Sequence, residues 1–342
     1  MQLDTLTAKD LYKTVSALGL TRAQVRSLLP AWWEPAIEHS PDGAGELAMH
    51  LSRRLSLDLK ALTQGSLTAK GAVTQVAFKH RADANPDSLA ASSFIASSLS
   101  HAVLAAMTTT YEPLPPTVGA IRKIVPNSTK AIFGFDALLD MCWDRGIPVV
   151  PLPNLPVGIR KMDGAALMVG DRPAIVIARK KSSRAWLSFI LSHEIGHIAL
   201  KHLQPSSSII DISLQETSTY AVESSADRQE AEADAFALHL MGGGEVDNEI
   251  AQWTATLTPV EIAVLAREAS ATLRIEAGHF VLRHAFRTKR WAESVTALRF
   301  LSEDFDPQTA LTQQLKKRLD MQRIAPDLQD LVTRITGWDG KG

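Results

Sequence analysis

The sequence contains almost no cysteine, since Cys142 is the single one among 342 residues. One cysteine excludes an intramolecular disulfide and any zinc site built from several thiolates, and it favours a reducing compartment. Cys142 lies at helical spacing from Phe135, Leu138 and Leu139. This spacing predicts a small buried core residue rather than a reactive thiol.

The chain also lacks a charge excess of either sign. Its 36 Lys and Arg and 37 Asp and Glu residues give a formal net charge of -1. No overall electrostatic attraction to nucleic acid or to a membrane surface is therefore expected. The N-terminus lacks the apolar run of a signal peptide. The most apolar stretch, residues 88–107, contains recurring serines and His101, which favours a buried helix over a membrane span. We expect a cytoplasmic protein with no membrane partner.

The distribution of apolar residues predicts three regions. Residues 1–110 read as a helical domain, and the proline-rich segment 108–119 is the best linker in the chain. In residues 115–245, "IPVVPLP" and the hairpin "AALMV-GDR-PAIVIA" predict strands among helices. Residues 246–342 predict a helical C-terminal region. The expected fold class is α+β and mostly helical.

Several helices can be placed individually. Thr7, Thr21 and Thr258 are predicted N-caps, and the last opens the motif "TPVE". "ELAMHLSRRLSLDLKAL" predicts one further helix, and residues 72–107 are expected to continue helical after a break at "ADANPDS". A long helix is predicted over "SSRAWLSFILSHEIGHIALKHL". A polar segment separates it from the helix "RQEAEADAFALHLM", which "GGG" ends.

The stretch "LSHEIGHIALKH", residues 191–202, contains the pattern H-E-x-x-H. His193 and His197 are four residues apart, so on a helix they share one face, about one turn apart, with a rise of ~5.4 Å per turn. Two neutral imidazoles at this spacing can bind one zinc ion. Glu194 lies beside them and can take a proton from water that the metal activates. The alternative is that these three polar side chains merely lie in a buried helix. Trp186 lies on the same helix face as the histidines, which predicts that this face is buried. Burying three polar groups without partners is costly, however.

The third ligand is not a histidine of the same helix. The extended pattern H-E-x-x-H-x-x-G-x-x-H is absent, because Leu200 and Leu203 stand where it needs Gly and His. His202 follows His197 by five residues, on the wrong side of a continuous helix. The ligand is therefore expected to be a downstream carboxylate.

Residues 211–250 hold ten acids and one base, which is an unusual local excess. Within them, Glu230 is the predicted ligand. Asp234 lies four residues further on the same helix face, where it can accept a hydrogen bond from the outer nitrogen of a ligand histidine. Glu232 is the rival ligand and lacks such a partner. The acidic excess could also be only a solvated face.

Two histidines, one carboxylate and an open fourth position describe a catalytic zinc site rather than a structural one. Mn²⁺ or another divalent ion suits the same ligands. With Glu194 as base, such a site implies hydrolysis of an amide. Tyr220 is the nearest tyrosine that could stabilise the oxyanion, and His239 is interpreted as structural.

The run "GDRPAIVIARKKSSRAWLSFILSHEIGHIALKH" followed by "EAEADAFALHLM" resembles the ImmA/IrrE family of metallopeptidases. The resemblance covers residues 115–245 and continues to about residue 290, whereas residues 292–342 match no pattern we recognise. It implies a zincin-like core in a zinc-dependent endopeptidase that cleaves a cytosolic regulator, such as a repressor or an antitoxin-like protein, in a stress or mobile-element response. The roles it implies are His193, His197 and Glu230 as ligands, Glu194 as base and Asp234 as outer partner.

Residues 8–65 partly resemble a helix-turn-helix of the Cro/repressor type. The recognition helix would lie in "PAWWEPAIEHSPDG", which contains Pro30 and Pro35 and no Lys or Arg. Residues 1–80 hold nine basic and seven acidic residues, a poor basis for phosphate binding. Besides DNA, the candidate roles of this region are recognition of a protein partner, with Trp32 and Trp33 as anchors, and packing on the peptidase.

A second function class stays open. The chain could be a DNA-binding transcription regulator that uses the zincin fold as a sensory or structural platform. Its supports are the helix-turn-helix likeness and the ten basic against seven acidic residues over 283–334. Glu194 favours the enzyme, because a platform needs no general base.

Overall fold

Helices account for most of the structure, and several begin at a side-chain cap. The computed structural model describes residues 6–40, 42–69, 75–79, 89–125, 132–178, 183–203, 207–211, 225–254, 256–301 and 306–338. Thr7 and Thr21 form reciprocal capping boxes with Asp10 and Gln24, and Thr258 forms one at the start of its own helix. The three predicted N-caps are confirmed.

Fifteen α-helices lie within these ranges. They are α1 (Ala8–Ser16), α2 (Arg22–Leu28), α3 (Gly43–Arg54), α4 (Leu59–Thr63), α5 (Ala90–Ala106), α6 (Val118–Ile124), α7 (Phe135–Asp144), α8 (Arg184–Ala199), α9 (Ser225–Leu240), α10 (Gly243–Ala251), α11 (Pro259–Leu273), α12 (Ala277–Thr288), α13 (Trp291–Leu301), α14 (Pro307–Arg318) and α15 (Pro326–Thr336). The strands are β1 (Gln75–Lys79), β2 (Val149–Pro151), β3 (Gly164–Val169), β4 (Arg172–Ile177) and β5 (Ser207–Asp211).

The strands form one five-stranded sheet in the order β1-β5-β3-β4-β2. β3 and β4 are antiparallel, with Val169 opposite Arg172, so the turn between them consists of Gly170 and Asp171. This is the predicted hairpin, and β2 lies within the predicted strand "IPVVPLP". β2 pairs in parallel with β4, β5 is antiparallel to β3, and β1 is parallel to β5. The expected α+β, mostly helical class is confirmed.

Helices α5 and α8 both pack on the β3–β4 hairpin. Gly164 of β3 lies against α8, whereas Arg172 of β4 donates to the carbonyl of Leu104 in α5. Gly164 pairs with Ile177, and paired residues lie on the same face of the sheet. Ile177 is five residues after Arg172 in the same strand, so Gly164 and the Arg172 side chain are on opposite faces. A sheet covered on both faces needs apolar residues at successive positions, which explains the unbroken runs "AALMV" and "AIVI".

Two predicted helices and one predicted helix stop differ from the structure. "ELAMHLSRRLSLDLKAL" forms two helices, because the chain turns after α3 with Ser56 in the left-handed region at φ 48°. Residues 72–107 contain strand β1 before α5, so the prediction of helix before the break at "ADANPDS" is wrong over Gln75–Lys79. The chain also forms a new helix, α10, directly after Gly242, where a stop alone was expected. In the first two segments the local helical pattern is outweighed by tertiary packing and, for β1, by pairing with the distant strand β5.

Before Gly43, where α3 begins, the described part of the segment that would contain a recognition helix holds a 3-10 turn, Ile37–His39, and no α-helix. Glu38 in this turn is buried and accepts a hydrogen bond from the Tyr12 hydroxyl at 2.6 Å. It also pairs with Arg22 and Arg26 of α2, at 2.5 and 3.0 Å. Both arginines therefore stabilise the turn through ion pairs with Glu38.

The helix that ends the described chain packs against the N-terminal helices. Arg54 of α3 is almost fully buried and pairs with Asp330 of α15 at 2.5 Å. Its guanidinium also donates to the carbonyls of Leu28 and Asp327, at 2.7 and 2.5 Å. One buried cation thus joins α3 to α15.

Replacing Asp330 with Ala is expected to lower the free energy of unfolding by about 2–4 kcal/mol, because it leaves the buried Arg54 cation without its carboxylate. Urea unfolding followed by circular dichroism measures the change. The control is Arg53→Met, since Arg53 pairs with Asp327 at 2.7 Å but is 55% exposed. That loss should stay within about 1 kcal/mol. Equal small losses in both variants would contradict the role given to Arg54.

Two further predictions concern burial. Cys142 is fully buried, and desolvation raises the pKa of its thiol, so its assignment to the core is confirmed. The serine-rich helix α5 is also buried, with the hydroxyls of Ser92 and Ser93 donating to the carbonyl of Leu89. Among the helices that the structure describes, none is both long and apolar enough to cross a membrane.

Candidate metal centre

Helix α8 brings the two histidines of the H-E-x-x-H pattern together. His193 and His197 lie one turn apart and are fully buried, with their Nε2 atoms 3.0 Å from one another. Both Nε2 atoms face helix α9, which packs along α8. The rings therefore converge on one point between the two helices.

Gly196 permits this close packing of α8 and α9. A Cβ at this position would lie 3.3 Å from Ala233 Cα and 3.3 Å from Phe236 Cβ, tighter than most such contacts. Because these atoms belong to α9 itself, a side chain here would press against that helix. The pattern H-E-I-G-H thus contains the residue that lets the second ligand helix approach.

Glu230 of α9 reaches both histidines. Its Oε2 lies 3.3 Å from His193 Nε2, and its Oε1 lies 3.4 Å from His197 Nε2. One ligand atom from each of the three residues lies within 4.8 Å of the others, and all three residues are buried. The structure brings together the three ligands that the sequence analysis predicts.

Asp234 lies one turn after Glu230 and contacts the other nitrogen of the same ring. Its Oδ1 is 2.9 Å from His193 Nδ1. An ionised carboxylate only accepts hydrogen bonds, so Nδ1 carries a proton, and in the neutral ring Nε2 then presents its lone pair towards Glu230. This is the arrangement in which a carboxylate fixes the tautomer of a metal-ligand histidine.

The chemistry of this donor set suits a cation. Imidazole nitrogens and a carboxylate, buried from water, direct electron pairs at a common point. Two nitrogens 3.0 Å apart that both present lone pairs repel one another unless a proton or a metal ion lies between them. Zn²⁺ accepts this mixture of nitrogen and oxygen ligands, and other divalent first-row ions do so as well.

Glu232, the rival ligand, lies elsewhere. Its Oε2 is 3.1 Å from Nε2 of His202, and its side chain is 51% exposed. Glu232 follows Glu230 by two positions, which is a rotation of about 200° around the helix axis. The two side chains therefore leave α9 on different sides. The structure therefore places Glu230, and not Glu232, beside both histidines of α8.

His202 is not part of the ligand group, as expected, but the expectation that it continues helix α8 is wrong. Helix α8 ends at Ala199, and the chain reverses through Lys201, whose φ is 57°. The N–H of His202 donates to the carbonyl of His197 at 3.0 Å, and the N–H of Lys201 donates to that of Ile198 at 3.2 Å. These two bonds define a Schellman turn, which returns His202 to the last turn of the helix. Its Nδ1 lies 3.0 Å from His197 Nδ1.

Glu194 is fully buried on α8 and is not part of the ligand group. Its carboxylate lies against Gly164 at the start of β3, where an added Cβ would overlap Oε1. Gly164 therefore provides the space for the predicted base. Sequence reasoning missed this glycine, since only the pairing of β3 with a non-adjacent helix gives it a role.

Aromatic side chains support α8 one turn before the ligands. The Phe189 ring lies 6.4 Å from that of His193 and 5.4 Å from that of Phe286 in α12. Trp186 stacks on Trp291 of α13 at 6.1 Å. These contacts fix the helix that holds the histidines to the C-terminal helices.

Tyr220 and His239 are the remaining residues that the sequence analysis considers. Tyr220, considered as an oxyanion donor, lies outside the described residues. His239 is exposed on α9 and follows Glu230 by nine residues, which places it on the opposite side of the helix.

Comparison of the chain with protein-family models, with curated proteins and with solved structures gives no match. The case for function accordingly rests on the site itself: two buried histidines, a carboxylate between them and a separate buried glutamate on the same helix.

Proposed function

We propose that the chain is a zinc-dependent endopeptidase with a zincin-like core, in which His193, His197 and Glu230 hold the metal and Glu194 is the general base. The observation that supports it most is the convergence of both Nε2 atoms and the Glu230 carboxylate at one buried point. Three protein ligands leave a coordination position for water or substrate, as in catalytic rather than structural zinc sites.

Asp234 and Glu194 have separate roles in the proposed reaction. The bound metal would supply Lewis-acid activation of water and polarisation of the scissile carbonyl. Asp234 holds the proton on His193 Nδ1, which keeps Nε2 available as a ligand. The Glu194 carboxylate accepts the proton of the attacking water and delivers it to the leaving amine nitrogen. Its burial beside Gly164 holds it in one place and excludes bulk water from it.

The substrate class follows from the resemblance to the ImmA/IrrE family. We propose a cytosolic regulatory protein, such as a repressor or an antitoxin-like protein, as the protein that is cleaved. The first test is elemental mass spectrometry of purified protein, supplied with zinc and freed of excess, where about one zinc per chain is expected. Labelling of new N-termini in a lysate then identifies substrates whose cleavage stops with a chelator. A wild-type chain that retains no metal would exclude the proposed function.

Replacing Gly164 with Ala is expected to reduce peptide cleavage while the metal content stays unchanged. The new methyl group would overlap Glu194 Oε1 and press on Ile190 Cγ2 at 2.9 Å, and its three nearest atoms include none from His193, His197 or Glu230. A misplacement of about 1 Å can cost on the order of 100-fold in rate. Cleavage rate and zinc per chain are measured side by side.

Gly119→Ala is the matched control for this substitution, because an added Cβ there has no neighbour within 4 Å. Gly119 lies in α6, so the control should keep both cleavage and zinc. Full activity in Gly164→Ala would show that the position of Glu194 does not limit the reaction.

A further inference from the structure

We propose that His202, held by Glu232, is a positioning residue that keeps the His197 ring in the tautomer that presents Nε2 to the metal. This inference rests on the proposed metal centre and adds two residues to it. The observation is a chain of side-chain contacts from α9 back to α8: Glu232 Oε2 to His202 Nε2 at 3.1 Å, then His202 Nδ1 to His197 Nδ1 at 3.0 Å.

The direction of each hydrogen bond follows from the carboxylate. Glu232 in its ionised form only accepts, so His202 Nε2 is the donor. A neutral His202 with its proton on Nε2 has a lone pair on Nδ1. The facing Nδ1 of His197 must then carry a proton and donate it. His197 consequently has its lone pair on Nε2, the atom that faces Glu230 and His193.

The opposite tautomer would disable the site. If His202 carried its proton on Nδ1, His197 Nδ1 would be the acceptor and His197 Nε2 would hold the proton. A protonated nitrogen cannot bind a metal. Glu232, although half-exposed itself, therefore selects through His202 the form of His197 that can act as a ligand.

The backbone fixes this geometry independently of the side chains. The Schellman turn places the residue after the left-handed Lys201 over the last turn of α8. In most such turns an apolar pair makes this contact, but here His202 and His197 make it. His202 is almost fully buried, so the turn holds its ring against that of His197 and away from water.

The two ligand histidines thus have different outer partners. His193 donates directly to the carboxylate of Asp234, whereas His197 donates to an imidazole that donates in turn to Glu232. In both cases a carboxylate of α9 ends the chain. The motif E-x-E-x-D, residues 230–234, therefore supplies one ligand and the terminal acceptors for both ligand histidines.

Nitrogen-15 NMR of zinc-loaded protein labelled at histidine tests the tautomers directly, because the metal then lies between the two Nε2 atoms that face one another. At mildly alkaline pH the expected spectrum has protons on His197 Nδ1 and His202 Nε2, and none on His202 Nδ1. A proton on His202 Nδ1 would overturn the proposal. This measurement needs no substrate, so it distinguishes a failed relay from a failed peptidase function. The zinc content of the wild type decides the latter, and a wild type that retains no zinc overturns the proposed function before the relay is measured.

Two variants then separate positioning from packing. His202→Leu removes the acceptor, and competition with a chelator dye should show zinc bound about 10- to 100-fold more weakly. His202→Asn places an oxygen where Nδ1 was and should recover most of that affinity. A purely structural role would weaken zinc binding equally in both variants, and unchanged affinity in His202→Leu would also refute the proposal.

Discussion

Replacing Glu194 with Gln is expected to lower peptide cleavage by about 10²- to 10⁴-fold, the usual contribution of a general base, while about one zinc per chain remains bound. Gln has the shape of Glu but has no carboxylate that accepts a proton at neutral pH. The buried space beside Gly164 fits either side chain, and Glu194 is absent from the ligand group. Steady-state cleavage of an identified substrate and elemental mass spectrometry of the same sample measure both quantities.

The control for this variant is Glu245→Gln on α10. Glu245 is 58% exposed and pairs with Arg122 at 3.1 Å, so this substitution makes the same chemical change outside the site. It should leave cleavage and zinc content unchanged. Cleavage by Glu194→Gln at the wild-type rate would refute the base assignment. Loss of zinc from Glu194→Gln would instead make Glu194 part of the metal site.

The parts of the fold that the sequence predicts correctly are those determined by short-range signals. The capping boxes at Thr7, Thr21 and Thr258 each depend on a residue three positions later. The β3–β4 hairpin depends on a two-residue turn, Gly170 and Asp171, between apolar runs. The spacing of His193, Glu194 and His197 is likewise local, because one helix holds all three.

The end of α8 shows why other parts could not be predicted. A helix that ends in a Schellman turn usually has glycine at the left-handed position, and this glycine marks the end of the helix in the sequence. Here Lys201 takes that position at φ 57°, so the sequence pattern continues without a break and His202 is placed on the wrong side. Tertiary contacts of His202 with His197 and Glu232 accompany this turn, and they join residues that only the folded chain brings together.

Strand β1 and Gly164 were missed for a related reason. β1 pairs with β5, more than a hundred residues later in the chain, and its local pattern predicts helix. Gly164 matters because Glu194, thirty residues further on, lies against it. Local periodicity gives no information on either contact, so the space for the base emerges only when β3 and α8 are seen together.

Replacing Glu230 with Gln is expected to remove the metal from the purified protein. The amide has no negative charge to offset a divalent cation buried between His193 and His197, so the affinity for zinc should fall by more than the ~10- to 100-fold that loss of an outer partner costs. The metal-free protein should keep its stability, because the amide can donate to an imidazole nitrogen 3.3–3.4 Å away. Elemental mass spectrometry gives the zinc content, and thermal unfolding with and without added zinc gives the stabilisation that binding produces.

Glu232→Gln and Asp234→Asn rank the three acids of α9 against one another. Loss of affinity should be largest for Glu230, smaller for Asp234, which contacts one ring nitrogen, and smallest for Glu232, which acts through His202. Zinc should raise the unfolding temperature of the wild type and not that of Glu230→Gln. If Glu232→Gln loses the metal while Glu230→Gln keeps it, the carboxylate ligand is the rival that the sequence left open, and the convergence of Glu230 on both histidines would not be the basis of metal binding.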